Sequence, residues 1–103
     1  MRTLKQADLK SGLRLKKMYE VFISHEAEKY YQRQDKDTKR RINRCIEIIG
    51  QEPLSGFHVK KLHGNLEGKY RYAIGGVRIV YEVDTKNKTV EIKAIGRRGD
   101  VYK

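Results

Sequence analysis

The chain has 103 residues and a formal net charge of +11 at pH 7, and its sequence is 38% hydrophobic and 36% charged. A chain of this length can build one modest core, and its apolar content is too high for a disordered protein, so we expect a single globular domain. The excess positive charge attracts polyanions and makes nucleic acid the first partner to consider, although an acidic protein would complement the same charge.

Several kinds of site are disfavoured by the sequence. No apolar run of about 18 residues could span a membrane and no apolar stretch follows the basic N-terminus, so we expect no membrane association and a cytoplasmic location. The single cysteine, Cys45, is predicted to pack in the core. The three histidines lack the paired carboxylates or cysteines of a metal site, and no phosphate-binding glycine loop or nucleophile elbow is present. We therefore expect neither metal nor cofactor.

Residues 1–17 are interpreted as a basic N-terminal extension. They contain six basic residues and one acidic residue, and Gly12 would interrupt any helix. The domain proper is predicted to cover residues 18–103, which still carry 18 basic and 12 acidic residues. The positive charge is therefore a property of the domain as well as of the extension.

The first half of the domain has a segment of alternating apolar and polar residues followed by two segments with helical periodicity. Residues 18–23 have the period-two pattern of a strand. Ser24 can cap a short helix, and Asp35 or Asp37 can cap a second helix that ends at about Gln51. The second helix has one apolar side, at the spacing i, i+3, i+4, i+7, formed by Ile42, Cys45, Ile46 and Ile49.

Three strands are predicted in the second half. Residues 69–74 and 77–83 both alternate and are joined by Gly75-Gly76, a pair that tolerates the positive φ angles of a tight hairpin. Residues 89–95 form the last strand. The predicted fold is α+β: an N-terminal strand, a two-helix hairpin and a three-stranded antiparallel meander, with the helices packed on one face of a four-stranded sheet.

The Gly75-Gly76 turn fixes which strand residues share a face. It places Ala73 opposite Arg78, so that Arg71 and Arg78 become diagonal neighbours about 7–8 Å apart at the backbone. Two guanidinium groups at that distance could hold one phosphate from two sides. The alternative is that each arginine pairs with a nearby acid, such as Glu82, on a solvated face.

The C-terminal tail adds further basic and aromatic residues. We expect Arg97, Arg98 and Tyr102 to converge on the face that carries Arg71 and Arg78. Guanidinium groups bind phosphate oxygens, and a tyrosine ring can stack on an unpaired base or transfer a proton through its hydroxyl group. This combination suits single-stranded RNA.

Four segments between residues 18 and 102 carry a resemblance to known proteins: YEVFISHEAEKYY after Met18, KKLHG at 60–64, GKYRYAIGGVRIVYEV at 68–83 and AIGRRGDVY at 94–102. In these segments and in their spacing the chain resembles the RelE/ParE superfamily of toxins from type II toxin–antitoxin systems. The resemblance implies a RelE-like fold. It also implies the activity of the RelE branch, whose toxins are metal-independent endoribonucleases that enter the ribosomal A site and cut mRNA through attack of a ribose 2′-hydroxyl on the adjacent phosphate.

The resemblance also implies roles for individual residues. Arg78 and Arg98 would stabilise the charge of the transition state, Arg71 would orient the phosphate, and Tyr102 would stack on or transfer a proton near the scissile nucleotide. Contacts to RNA or the ribosome are expected from Lys61, His63 and Arg97.

Two departures from the pattern of these toxins leave the proton acceptor open. Ala73 stands where RelE-like toxins often have a second basic residue, and Arg97 where many have histidine. Arginine is a very poor base, so our hypothesis is that Lys69, on the same face as Arg71, takes part, with Tyr102 as the other candidate.

Two other functions remain open at this stage. A ParE-like toxin would inhibit DNA gyrase without catalysing a reaction of its own, and the loss of a basic residue at Ala73 fits that reading. A degenerate toxin would only bind RNA or its antitoxin. In each case the resemblance implies a cognate antitoxin, with which the toxin could assemble into a heterotetramer, whereas the nuclease also requires mRNA and the ribosome.

Overall fold

The computed structural model describes residues 19–97, together with the backbone alone of residues 2–4. These residues form an α+β fold with two α-helices, one short 3₁₀ turn and six strands. The strands are β1 (Arg2–Leu4), β2 (Glu20–Ile23), β3 (Val59–Lys61), β4 (Lys69–Ile74), β5 (Val77–Asp84) and β6 (Thr89–Arg97), and the helices are α1 (His25–Gln32) and α2 (Lys36–Gln51).

Both helices begin at capping residues that the sequence predicts. The Ser24 hydroxyl accepts a hydrogen bond from the Ala27 amide at 3.1 Å and donates one to the Lys93 carbonyl at 2.9 Å, which ties the start of α1 to β6. At the start of α2, Asp35 rather than Asp37 accepts from the Thr38 amide at 2.7 Å. This bond holds the pKa of Asp35 below its ordinary value.

The strands form one mixed sheet in the order β1-β2-β6-β5-β4-β3. The pair β2–β6 is parallel and the other pairs are antiparallel, so the predicted meander β4-β5-β6 is confirmed. In the hairpin, Ile74 is opposite Val77 and Ala73 is opposite Arg78, as the Gly75-Gly76 turn predicts. Of the two glycines only Gly75 has a positive φ, at 57°.

The strand count differs from the sequence prediction. Four strands were expected, and the two additional ones are both three residues long. β3 lies in the segment expected to be a loop, and β1 lies in the N-terminal extension, where it pairs antiparallel with β2. A three-residue strand is too short to show a clear alternation, so the sequence pattern could not reveal either. The remainder of the extension, residue 1 and residues 5–17, lies outside the described residues.

The helices cover one face of the sheet and enclose the core. Cys45 is buried there as predicted, and burial raises the pKa of its thiol to about 11, so the thiol stays protonated at neutral pH. The Tyr81 hydroxyl donates to the Pro53 carbonyl at 2.6 Å and fixes the chain just after α2 to the sheet. The fully enclosed side chains include Ile23, Ile42, Ile46, Ile49, Ile79, Tyr81, Val90 and Ile92.

One buried residue of α2 is charged. Glu47 is only 6% exposed, and within the described part of the chain neither of its carboxylate oxygens has a hydrogen-bond partner. It is the charged exception among the buried residues of the helix. Across the described residues, no helix is long and apolar enough to cross a membrane.

Candidate functional site

The face of the sheet turned away from the helices collects the basic residues of the hairpin. Side chains of directly opposed residues share a face, and Tyr72 with its partner Ile79 belongs to the core. The intervening positions therefore form the other face, which we call the outer face. By register it contains Lys60 of β3, Lys69, Arg71 and Ala73 of β4, Arg78, Val80 and Glu82 of β5, and Ala94 and Gly96 of β6.

Arg71 and Arg78 are diagonal neighbours on the outer face. Arg71 is opposite Val80 and Arg78 is opposite Ala73, as the sequence predicts. Among residues 19–97, no carboxylate forms an ion pair with either guanidinium. Arg78 instead donates through Nη1 to the backbone carbonyls of Gly75 at 3.0 Å and Val77 at 3.2 Å. Two adjacent cations without a counter-charge repel each other, so the arrangement favours binding of an anion such as phosphate.

Glu82, the acid that could have neutralised these arginines, forms ion pairs with two lysines instead. Its carboxylate lies 3.3 Å from the Lys69 ammonium and 3.4 Å from that of Lys93, which also contacts Glu91 at 2.9 Å. Partial burial alone would raise the pKa of Glu82, but hydrogen bonds and charge from the two lysines outweigh it and lower the pKa. The outer face thus has a neutralised end at Glu82 and a positive end at the Gly75-Gly76 turn.

A third cation beside the arginines was missed by the sequence analysis. Lys60 is opposite Arg71, whereas Lys61, which we expected to contact RNA, is opposite Tyr70 and so belongs to the other face. Lys60 was missed because residues 59–61 were treated as a loop, and the contact of Lys61 to RNA or the ribosome stays a prediction. The sequence contains only weak evidence for the position of Lys60. Alternation from Val59 places Lys60 on the outer face only if residues 59–61 are assumed to form a strand.

The remaining predicted contacts lie at the periphery. His63 is exposed at the start of the 3₁₀ turn Gly64–Leu66, and its side chain makes no capping bond. Arg97 is exposed and is opposite Val77, a core residue, so the register places it on the opposite face from Arg78. The prediction that Arg97 lies on the same face as Arg78 is therefore wrong by the strand register.

Sequence and structural comparisons identify the family. A model of the family described as "ParE toxin of type II toxin-antitoxin system, parDE" matches residues 21–102. The chain belongs to the ParE toxin family. This match confirms the superfamily inferred from the sequence, and the protein is a toxin of a type II toxin–antitoxin system. A comparison with curated protein sequences found no match.

Solved structures of similar toxins agree with the fold. The RelE–RelB complex of Pyrococcus horikoshii contains a chain 32% identical, with a TM-score of 0.67 over 81% of the toxin and 98% of that chain. The YoeB–YefM complex of Staphylococcus aureus gives 28% identity and a TM-score of 0.62 over 84% and 99%. The RelBE2 complex of Mycobacterium tuberculosis, at 20% identity and a TM-score of 0.69 over 81% and 100%, supports the fold alone.

Two residues assigned to the toxin's site by resemblance, Arg98 and Tyr102, lie outside the described residues. Their convergence on the outer face stays a prediction. Within residues 19–97, no group of three His, Cys, Asp or Glu side chains is arranged to hold a metal ion. The cations that the register places around Arg71 on the outer face are the guanidinium groups of Arg71 and Arg78 and the ammonium groups of Lys60 and Lys69. Such groups bind and stabilise anionic oxygens.

The toxin has a second basic surface on α2. Lys36, Arg40, Arg41 and Arg44 are exposed along this helix, and within the described residues only Arg40 among them forms an ion pair, with Asp37 at 3.3 Å. Because α2 packs on the core side of the sheet, this surface is separate from the outer face. It therefore provides positions where a positive charge can be removed without touching the candidate site.

Proposed function

We propose that the toxin is a RelE-like endoribonuclease that cuts mRNA in the ribosomal A site without a metal ion. The main support is the positive end of the outer face, where Arg71, Arg78 and Lys60 lie side by side with no described acid to neutralise them. A protein that acts by blocking another protein has no evident need for paired guanidinium groups without counter-charges. The 32% identity to the RelE of P. horikoshii gives independent support.

In the proposed reaction the 2′-oxygen of a ribose attacks the neighbouring phosphorus. The new bond joins O2′ to phosphorus and the bond from phosphorus to O5′ breaks, which gives a 2′,3′-cyclic phosphate and a free 5′-hydroxyl. The 2′-hydroxyl proton passes to a base and a proton is delivered to the leaving O5′. Arg71 and Arg78 stabilise the additional negative charge on the phosphoryl oxygens, which is the largest contribution a rigid site of this kind makes. Arg98 and Tyr102 would complete the site.

Lys69 is proposed to support this charge rather than to serve as a free base. Its ammonium forms an ion pair with the Glu82 carboxylate at 3.3 Å, on the face that carries Arg71. We expect Lys69→Met to lower the cleavage rate at least about tenfold, since a charge-assisted hydrogen bond is worth roughly 1.5–3 kcal/mol. The rate is measured by single-turnover cleavage on programmed ribosomes.

The matched control for Lys69 is Lys93→Met. Lys93 has the same charge and also bonds to Glu82, but it lies in β6 rather than beside Arg71. We expect this variant to cleave within about twofold of the wild-type rate, because a partly exposed ion pair contributes little. Equal losses in the two variants, or no loss at Lys69, would show that Lys69 has no specific role.

A second candidate function is inhibition of DNA gyrase, as in ParE-like toxins. The family model that matches the chain is that of ParE, and Ala73 replaces a basic residue that RelE-like toxins often carry. Both observations favour an inhibitor, and neither explains why no carboxylate of residues 19–97 forms an ion pair with Arg71 or Arg78.

One experiment separates the candidates. The purified toxin is added to ribosomes programmed with a defined mRNA and, in parallel, to gyrase with supercoiled plasmid. We expect A-site cuts with cyclic-phosphate and 5′-hydroxyl ends, and no trapped DNA breaks. Trapped breaks without mRNA cuts would establish the gyrase inhibitor, and neither result would indicate a toxin that only binds.

The proposed partner is a cognate antitoxin that covers the outer face. The similar toxins of P. horikoshii and S. aureus were solved as complexes, RelE with RelB and YoeB with YefM. An acidic segment would complement the positive end of the outer face, and its removal would free the toxin to reach mRNA in the cytoplasm.

A further inference from the structure

The proposed reaction needs a proton acceptor that the two arginines of the outer face cannot supply. The 2′-hydroxyl must lose its proton as its oxygen attacks phosphorus, and a guanidinium is a very poor base because it stays charged. An ionised carboxylate has only acceptor sites and can take up a proton at neutral pH. A carboxylate beside Arg71 and Arg78 is therefore the kind of group that would complete the site.

Glu82 is the outer-face carboxylate closest to Arg71 in the register of residues 19–97. Arg71 is opposite Val80, and Glu82 follows two residues later on β5, so Glu82 and Arg71 are diagonal neighbours about 7–8 Å apart at the backbone. Arg78 is the diagonal neighbour of Arg71 on the other side. Successive positions on one face of a strand are about 7 Å apart, so a nucleotide whose phosphate is held by the two arginines can place its ribose over Glu82.

The Glu82 carboxylate is fixed in place and is still accessible. Its Oε2 lies 3.3 Å from the Lys69 ammonium and its Oε1 lies 3.4 Å from the Lys93 ammonium. These contacts use part of the capacity of a carboxylate, which has roughly four lone-pair sites. The Glu82 side chain is 41% exposed, so a free lone pair can meet a hydroxyl group of a bound strand.

The groups around Glu82 keep it ionised at neutral pH. The charged neighbours are Lys69 and Arg71 of β4, Glu91 and Lys93 of β6, Asp84 at the end of β5 and Lys86 in the following turn. Partial burial alone would raise the pKa of Glu82, but hydrogen bonds and charge from Lys69 and Lys93 lower it below its ordinary value. The carboxylate is thus present as a base across the whole neutral range.

We propose that Glu82 accepts the proton of the attacking 2′-hydroxyl. The proposal rests on the nuclease function proposed above and names the base of that reaction. The O2′–H bond breaks as the bond from O2′ to phosphorus forms, and the proton goes to a Glu82 carboxylate oxygen. A water molecule protonates the leaving O5′, and the hydroxide that remains takes the proton back from Glu82. While Glu82 is neutral, the charge of Lys69 is no longer balanced and can stabilise the phosphoryl oxygens beside Arg71.

Glu82→Gln tests the proposal because it keeps the shape of the side chain and removes the base. We expect single-turnover cleavage on programmed ribosomes at pH 7 to fall by at least about 10²-fold. Between about pH 6 and pH 8.5 the wild-type rate should stay flat, because its carboxylate is ionised throughout. The rate of the variant should rise about tenfold per pH unit, because hydroxide must replace the missing base. A merely structural role would lower the rate by the same factor at every pH.

Glu91→Gln is the matched control. Glu91 is opposite Glu82 and also pairs with Lys93, at 2.9 Å, but it lies one strand further from Arg71. This variant should cleave within about twofold of the wild-type rate with a flat pH profile, because a partly exposed ion pair contributes little. Glu82→Asp keeps a carboxylate on a shorter side chain and should cleave more slowly than the wild type, again with a flat profile.

The two proposals can fail separately. A flat pH profile in Glu82→Gln, or equal losses in Glu82→Gln and Glu91→Gln, would overturn the role of Glu82 and leave the nuclease standing. If the wild type cuts no mRNA at any pH, the nuclease function fails and the role of Glu82 fails with it. All three variants should unfold at the wild-type temperature, so that a lost rate reports on the reaction and not on the fold.

Discussion

Alanine in place of Arg78 is expected to slow mRNA cleavage on programmed ribosomes by about 10²- to 10³-fold, the usual cost of removing one fixed donor from a charged transition state. Arg78 is diagonal to Arg71 on the outer face, and no described acid neutralises either side chain. Its described hydrogen bonds go to the carbonyls of Gly75 and Val77. The hairpin is held by its backbone ladder, so the variant should fold normally.

Arg44→Ala provides the charge-matched control for Arg78→Ala. Arg44 is exposed on α2, on the other side of the sheet from the outer face. If the role of Arg78 is specific, Arg44→Ala should retain nearly full cleavage, and both variants should unfold at the wild-type temperature. Similar losses in the two variants would mean that cleavage depends on total positive charge and that the outer face is not the site.

The positions of Arg71 and Arg78 were predictable because a short turn determines the register of a hairpin. Gly75-Gly76 leaves Ile74 and Val77 as the closing pair, and each residue further along either strand then has one opposite partner. Short-range sequence also indicates where the helices begin: the side chains of Ser24 and Asp35 cap the helices that follow them. Local chemistry was sufficient at the hairpin and at Ser24, whereas at α2 it left Asp35 and Asp37 as alternatives.

Features that depend on distant partners were not predictable in this way. Residues 59–61 form a strand because they pair with β4. A segment of three residues is too short to show the alternation by which a strand is predicted. Lys60 was missed for this reason, whereas Lys61 was assigned by resemblance through the KKLHG segment. The pairing of Glu82 with Lys69 and Lys93 likewise requires β4 and β6 to lie on either side of β5.

Exposure was the other property that the sequence could not supply. Nothing in the sequence around Phe57 indicates whether its side chain is buried. The structure shows that it is 97% exposed. Glu47 presents the opposite case, since a glutamate within an amphipathic helix would be assigned to the solvated side. In the fold Glu47 is 6% exposed, so the buried side of α2 is wider than its apolar stripe indicates.

Replacing Glu47 with leucine is expected to raise the free energy of unfolding by about 1–4 kcal/mol. Both carboxylate oxygens are buried and find no hydrogen-bond partner among residues 19–97, so folding removes their hydration without a compensating hydrogen bond. Leucine has a similar helix propensity and gains from burial at the same position. Urea denaturation at pH 7 measures the change, and Glu47→Gln, which keeps an unsatisfied polar group, should stabilise less than Glu47→Leu. A loss of stability in Glu47→Leu would show that the carboxylate has a partner in solution.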